Sequence, residues 1–319
     1  MAVLVGIDEA GFGPLLGPLV VSSASFTVPD PLVSADFWQL LKKSVSVKRR
    51  HLAGRLLVTD SKKAYSKSLG IKHLQRTVLA CCKCLGKNPT TLAELINILC
   101  EDSLERLKGY PWHQSIANHS IHFDASDIDI AATVFKDEIA ANGIQLRGIQ
   151  SCCLDVAYYN RMVSEIKNKS SVLISTTSRL IRLAYDSCED DCMQFLVDRQ
   201  GGRAHYRKNL QLIFPDVEPK ILRESDTVSS YELKDGRRTA KVHFVVAADK
   251  KFLPVSLASM VSKYLRELLV ENMNSYFTTA CSGLRPTAGY WQDGLRFIAD
   301  LKNNFPDFKY DSNQLIRCR

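Results

Sequence analysis

A chain of 319 residues is long enough to bury one sizeable core, with a second small module permitted but not required. Hydrophobic residues at 45% and charged residues at 24% are ordinary globular values, which excludes disordered, collagen-like and coiled-coil chains. Lys and Arg number 42 against 34 acids, a net +8 that favours a polyanionic partner without proving one.

In chain order, Val3-Leu4-Val5-Gly6-Ile7 is an apolar run of the kind covered on both faces of a sheet. It stops at Asp8-Glu9; Gly11, Gly13 and Pro14 mark a turn, and Leu19 to Val28 reads as a second strand. A hairpin with two acids at its turn is expected. Residues 37–41 form a short helical piece. From 42 to 55 follow Lys42, Lys43, Lys48, Arg49, Arg50 and Arg55 with no acid among them, read as a solvated loop or a phosphate-facing strip.

Apolar spacing predicts helices over 69–85 and 91–107, and Ser126-Asp127 is placed to cap another through Ile130, Val134 and Ile139. A strand is expected over 144–154 and helix over 156–186, dipping near 167–171. Met193 to Val197 is an apolar strand ending on Asp198, and residues 242–248 repeat that pattern and end on Asp249. Helices over 253–274 and 292–303 close the chain. Strands mixed with helices argue for a mixed sheet with helices on its faces.

Ten cysteines, with adjacent pairs at Cys81/Cys82 and Cys152/Cys153, are too sparse for a disulfide scaffold and point to a reduced, cytoplasmic setting. The longest uncharged stretch, 10–29, approaches membrane-spanning length but holds Gly11, Gly13, Pro14, Gly17 and Pro18. No Lys or Arg among the first eight residues forms a signal-peptide leader, so no membrane association is expected.

Three expected strands thus end in carboxylates: Asp8-Glu9, Asp198 and Asp249. Strand ends are where catalytic groups collect in such sheets. Four clustered carboxylates repel one another unless a cation lies among them, and all-oxygen ligation selects Mg²⁺ or Mn²⁺. Two such ions can clamp the attacking and leaving oxygens of a phosphodiester displacement. Acids flanked by basic segments point to a metal-dependent nuclease.

The run Gly6-Ile7-Asp8-Glu9-Ala10-Gly11-Phe12-Gly13-Pro14-Leu15-Leu16-Gly17-Pro18-Leu19-Val20-Val21 resembles the signature of type 2 ribonuclease H (ribonuclease HII), which nicks the RNA strand of RNA/DNA hybrids. Five further stretches resemble that family's elements in order: Asp60-Ser61-Lys62-Lys63, Leu154-Asp155 with Asn160, Leu196-Val197-Asp198, the stretch from Ala248 to Lys263, and Ala288-Gly289-Tyr290. The matches span very roughly half of the chain. The resemblance implies an α/β, ribonuclease H-like mixed β-sheet flanked by α-helices. It further implies a single catalytic domain over 1–319, with insertions at about 88–142 and 199–241 and a C-terminal helical segment at about 275–319.

By the same resemblance Asp8 bridges two metals, Asp249 completes one site and Glu9 with Asp198 the other. Gly11, Phe12, Gly13, Lys62, Lys63 and Tyr290 contact substrate, an RNA/DNA hybrid; Lys250 is a further phosphate candidate, and Lys263 is either another or a structural residue of a helix interior. The products would carry 5′-phosphate and 3′-hydroxyl ends.

The chain departs from the family at Phe12, where a G-R-G motif carries Arg. Phenylalanine has no donors and cannot grip a phosphate bidentately; it either packs in the core or faces a sugar or base. Arg199, Arg203 and Arg207 fall at four-residue spacing, so a helix there would show one cationic face. A dinucleotide fingerprint is rejected because the third glycine is at 17 and not 16. Structural zinc at Cys188 and Cys192 lacks a second ligand pair. His205 and His243 are left out of the site. The alternative function is a nucleic-acid-binding protein of the same fold with lost or altered specificity.

Overall fold

A computed structural model of the chain describes residues 1–50, 52–65, 70–188, 192–236 and 238–318. Its strands are β1 (Ala2–Ala10), β2 (Leu19–Val28), β3 (Val45–Ser46), β4 (Leu56–Leu57), β5 (Gln145–Leu154), β6 (Cys192–Asp198), β7 (Lys220–Glu224), β8 (Val228–Asp235) and β9 (Arg238–Val245). Seven of them form one sheet in the order β5-β2-β1-β6-β9-β8-β7. β1, β6 and β9 run parallel as neighbours, while the β1–β2, β2–β5, β8–β9 and β7–β8 pairs are antiparallel. β3 and β4 pair separately. This is the expected α/β mixed sheet.

The helices are α1 (Phe37–Leu40), α2 (Ser61–Ala64), α3 (Lys72–Cys84), α4 (Leu92–Leu99), α5 (Leu104–Lys108), α6 (Ala125–Ala141), α7 (Val156–Ile166), α8 (Lys169–Asp186), α9 (Arg207–Ile213), α10 (Leu253–Ala280), α11 (Trp291–Asn304) and α12 (Ser312–Leu315). None is long and apolar enough, among the described residues, to cross a membrane. Among the described residues no two cysteines are joined by a disulfide.

Side chains alternate along β1 as a pleated strand requires. Val3, Val5 and Ile7 enter a core shared with α7 and α8, whereas Leu4 enters a second core under α10. Gly6 and Asp8 share the Leu4 face. A β-carbon on Gly6 would lie 2.2 to 2.5 Å from backbone atoms of Pro254 and Val255, so only glycine lets α10 sit this close to β1. Gly6→Ala is expected to cost roughly 2–4 kcal/mol, the range of severe overpacking. A urea midpoint unchanged from wild type would refute that contact.

Several boundaries differ from the sequence reading, each for a physical reason. The acids lie within β1, with Asp8 opposite Ser22, and the turn is the loop 11–18. The span 91–107 breaks at Cys100 (φ −152°). There the Ser103 hydroxyl and Arg106 Nη2 both donate to the Cys153 carbonyl, at 3.2 and 2.9 Å, covering the end of the edge strand β5. Asp124, and not Ser126-Asp127, caps α6, and its Ile130 and Val134 are exposed; Ile128, Ala131, Ala132, Phe135 and Ile139 form the buried face. The helix expected over 156–186 is split at Lys167, whose φ of +58° ends α7.

No cationic helix face forms from Arg199, Arg203 and Arg207. Gly201-Gly202 break the chain; Arg199 Nε donates to the Arg203 carbonyl at 2.6 Å, Arg203 Nη2 to Ser170 at 3.2 Å, and only Arg207 enters α9. His205 bonds to Glu224, and His243 to Ser230 and Gln194, so both histidines are occupied away from the carboxylates.

A third core joins Leu15 and Leu16 to Trp112, Phe277 and Phe297. Beside it His113, 4% exposed, meets Asn272 at 2.8 Å, and burial pulls its pKa down from 6.5 to about 4. Between those values the unfolded chain takes up a proton that the folded chain refuses, so stability present above pH 6.5 is lost on acidification, by at most roughly 3 kcal/mol. Urea titrations at pH 7 and 4.5 should show this decrement in wild type, reduced in His113→Gln; equal decrements would exclude His113 as the cause.

Candidate active site: a carboxylate cleft at the ends of parallel strands

The parallel register sets Ile7 beside Val197, so the next residues, Asp8 within β1 and Asp198 at the end of β6, lie side by side. Leu196 packs under α10, and two residues on, Asp198 shares the Asp8 face by the same alternation. Asp249 follows β9 in a short 3₁₀ turn, after Ala247 takes φ +52°. The strand expected to run to 248 therefore ends at Val245. Ala248 N–H, 2.7 Å from Asp198 Oδ1, locks this turn to the neighbouring strand end.

The four acids sense one another. Burial pushes the Asp8 carboxyl well above its ordinary range, with Glu9 and Asp198 adding to the push. Glu9 rises to about 7 through burial and then Asp198, and Asp198 to about 6 through burial, with Asp249 contributing. Asp249 also rises, through burial and then Asp60. Against these stands Lys62 of α2, whose ammonium favours the ionised forms of Glu9, Asp198 and Asp249. Lys63 is exposed on the same turn.

The donor set suits a hard divalent cation: oxygen-only, anionic and mutually repelling. Consecutive strand residues leave on opposite faces, so Asp8 and Glu9 do not point at one spot. Among the described residues no three His, Cys, Asp or Glu side chains converge tightly enough to cage an ion. Asp8 is buried and Glu9, Asp198 and Asp249 are half-buried; Mg²⁺ takes only one or two carboxylates and its other ligands from water and phosphate.

α10 supplies the floor. Ser262 Oγ donates to the Asp8 carbonyl at 3.0 Å and lies 2.8 Å from Ser22 Oγ. Ser259 Oγ donates to Ser61 Oγ at 3.0 Å and lies close enough to the Asp8 carboxyl to favour its ionised form. Arg266, 1% exposed, packs on the loop: a β-carbon on Gly11, at φ +93°, would meet Pro18 O at 2.5 Å and Arg266 Cδ at 2.9 Å. Gly11 is thus demanded by close packing, while Gly13 has open space around it.

Arg266 Nη2 also donates to the Ala288 carbonyl at 3.0 Å, and Leu15 and Leu16 N–H donate to Gly289 O at 2.8 and 3.1 Å. These bonds bring Tyr290, half exposed, beside the loop, with Lys263 and Arg266 5.8 and 5.5 Å from its ring centroid. Lys263 is 7% exposed and paired with Glu267 at 2.8 Å, which makes it a support for the Tyr65 and Tyr290 rings and removes it from the phosphate candidates. Lys250 is exposed next to Asp249. Phe12 is half-buried at the edge of the core beneath β1, with Lys169 Nζ 5.6 Å from its ring centroid.

The sequence reading missed Asp60 as a fifth nearby carboxylate, Arg266 and the buried Arg317. One signal for Arg266 was present: Ser256, Ser259, Lys263 and Arg266 recur at helical spacing in an otherwise apolar segment, the mark of a polar stripe facing inward.

The fold and cleft define a mixed-sheet α/β protein with four acids at adjoining strand ends. No family model matches the sequence. Ribonuclease HII of Gluconobacter oxydans (strain 621H) is 41% identical over 58 residues, 18% of this chain and 28% of that protein's length. Among solved structures, ribonuclease HII of Archaeoglobus fulgidus, determined in a complex with PCNA, is 15% identical over 99% of this chain and 94% of that one, with a TM-score of 0.47. Ribonuclease H2 from Pyrococcus horikoshii OT3 is 15% identical over 98% and 92% (TM-score 0.43). Bst-RNase HIII, determined with Mn²⁺, is 13% identical over 99% and 66% (TM-score 0.41). The proteins that this chain is similar to are thus ribonucleases H of types HII and HIII, the resemblance its motifs carry.

Proposed function

We propose that this chain is a divalent-cation-dependent endonuclease that hydrolyses the RNA strand of RNA/DNA hybrids, leaving 5′-phosphate and 3′-hydroxyl ends. The observation that carries this reading is the nearness of Asp8, Glu9, Asp198 and Asp249, from three distant chain segments: Glu9 and Asp198 raise the proton affinity of Asp8, Asp198 and Asp249 that of Glu9, and Asp249 that of Asp198. Holding four acids together costs stability, a cost expected at a functional site.

In this reading Asp8, Glu9, Asp198 and Asp249 are the residues that would hold Mg²⁺ or Mn²⁺, with two ions expected. Bound there, the ions supply Lewis-acid stabilisation of the transition state and an activated water. The chain's own part is placement. Ser262 and Ser259 fix the Asp8 backbone and carboxyl, and Ala248 N–H fixes Asp198. Lys62 and Lys63 at the cleft meet substrate phosphate, and the Gly11-Phe12-Gly13 backbone approaches the strand closely. Tyr290, an exposed ring beside that loop, offers a face to a sugar.

Incubation of the purified protein with Mg²⁺ or Mn²⁺ and labelled duplexes tests this. Cleavage is expected in the RNA strand of a continuous hybrid. A second duplex with a single embedded ribonucleotide asks whether Phe12 costs junction cleavage. Binding of hybrid without cleavage under either ion would favour the binding-protein alternative.

A further inference from the structure

Beside the loop lies a cavity of about 260 Å³, bordered by Phe12, Tyr159, Lys169, Trp291 and Arg317. Arg317 is 4% exposed; its Nη1 donates to the Gly11 carbonyl and its Nη2 to the Phe12 carbonyl at 2.8 Å, with the guanidinium 4.3 Å above the Tyr159 ring. Among the described residues no carboxylate pairs with it, and its buried Nε has no acceptor. Burial pulls its pKa down to about 10. A desolvated guanidinium without a counter-charge is a costly arrangement. The cavity it lines is therefore matched to an anion.

A second cation and two aromatic walls stand at the same opening. Lys169, the first residue of α8, is exposed and has no carboxylate partner among the described residues, its Nζ 5.6 Å from the Phe12 ring centroid. Trp291 is 37% exposed at the start of α11, next to Tyr290. Paired cations flanked by exposed rings suit a phosphate attached to a sugar or base. The volume lies just under the roughly 300 Å³ at which pockets for free small molecules begin, which favours a single unit of a polymer.

We infer that this cavity holds one nucleotide of the substrate strand flanking the cleavage position, its phosphate at Lys169 and Arg317 and its sugar or base against Phe12 and Trp291. The inference rests on the ribonuclease reading and adds a subsite to it. Phe12 directly follows Gly11 in the loop that leads out of the acidic strand, so a strand crossing the cleft passes the opening.

The test uses Lys169→Ala and Trp291→Ala, both at surface positions. In an Asp8→Asn background, anisotropy with a short fluorescein-labelled RNA/DNA hybrid should show Lys169→Ala weakening binding by about tenfold at low salt and lowering the salt slope by about one. Trp291→Ala should weaken it by at least about fivefold with the slope unchanged. With Asp8 intact, KM should rise in both variants far more than kcat falls.

Wild-type binding, KM and salt slope in both variants, alongside normal cleavage by the parent, would overturn the subsite and leave the ribonuclease reading standing. If the parent neither binds nor cleaves the hybrid, the ribonuclease reading falls, and tryptophan fluorescence titrated with uridine 5′-monophosphate judges the cavity separately. Quenching lost in Trp291→Ala supports a nucleotide site; no quenching overturns it.

Discussion

Asp8→Asn is expected to reduce divalent-cation-dependent cleavage of an RNA/DNA hybrid by roughly a thousandfold or more, with the fold intact. Asparagine keeps the volume and one acceptor oxygen, so the contacts from Ser259 and the Glu9 N–H, 2.7 Å from Oδ1, survive. What disappears is one negative charge in a group where Asp8, Glu9 and Asp198 all resist ionisation. In chelator the variant should accordingly be as stable as wild type or more so, by about 1–2 kcal/mol, because a buried repulsion has been removed. Loss of activity together with loss of structure would mean that Asp8 serves the fold. Full activity would remove the four-carboxylate mechanism altogether.

The largest stability effect is expected from Arg266→Met. The guanidinium is 1% exposed, contacts Glu267 at 2.8 Å and holds the Ala288 carbonyl at 3.0 Å. Its removal leaves Glu267 with Lys263 as its one remaining cationic partner among the described residues, and takes the Arg266 donor from the Ala288 carbonyl. Breaking a buried pair from one side costs roughly 3–5 kcal/mol, which should appear as a clear fall in the urea midpoint. The loop 11–18 and Tyr290 both lean on this side chain, so KM for a hybrid should rise in whatever fraction stays folded. Arg266→Lys retains the charge but not the fork and should recover only part of the loss. A midpoint within about 1 kcal/mol of wild type would show that the loop is held by other contacts.

Strands were the most legible part of the sequence. Apolar runs ending in acids located β1, β6 and the approach to Asp249, because a strand buried on both faces leaves little room for polar residues except at its ends. Period-2 alternation in β1 carries more than strand identity: it places Gly6 and Asp8 on one face, and the missing side chain at Gly6 admits the helix whose serines reach Asp8. Helical patterns were less reliable. Ile130 and Val134 fit an apolar spacing yet are exposed, since an amphipathic stripe is fixed by what packs against it and not by hydrophobicity alone.

Cations were misread most, and for one reason. A long basic side chain has the same appearance in sequence whether it faces water, a phosphate or the interior. Arg199, Arg203 and Arg207 had a helical spacing but lie across a Gly-Gly break, and the first two turn to a backbone carbonyl and to Ser170. Lys263, readable in sequence either as a phosphate contact or as a structural residue, takes the second role and pairs with Glu267 inside the fold. Arg317, which braces the loop, carries no local sign that it is buried, because the carbonyls it holds lie some three hundred residues away; Arg266 shows its burial only through the polar stripe of its own helix.

The sequence by itself determined which segments are strands of the mixed sheet and the glycines that let the chain turn and pack closely, since these follow from local periodicity and steric limits. Tertiary structure alone decided which cations face the cleft, which brace it, and how Phe12, Lys169, Trp291 and Arg317 come to border one cavity. Charge is a property of a residue, but its partner and its exposure are set by the packing of distant segments.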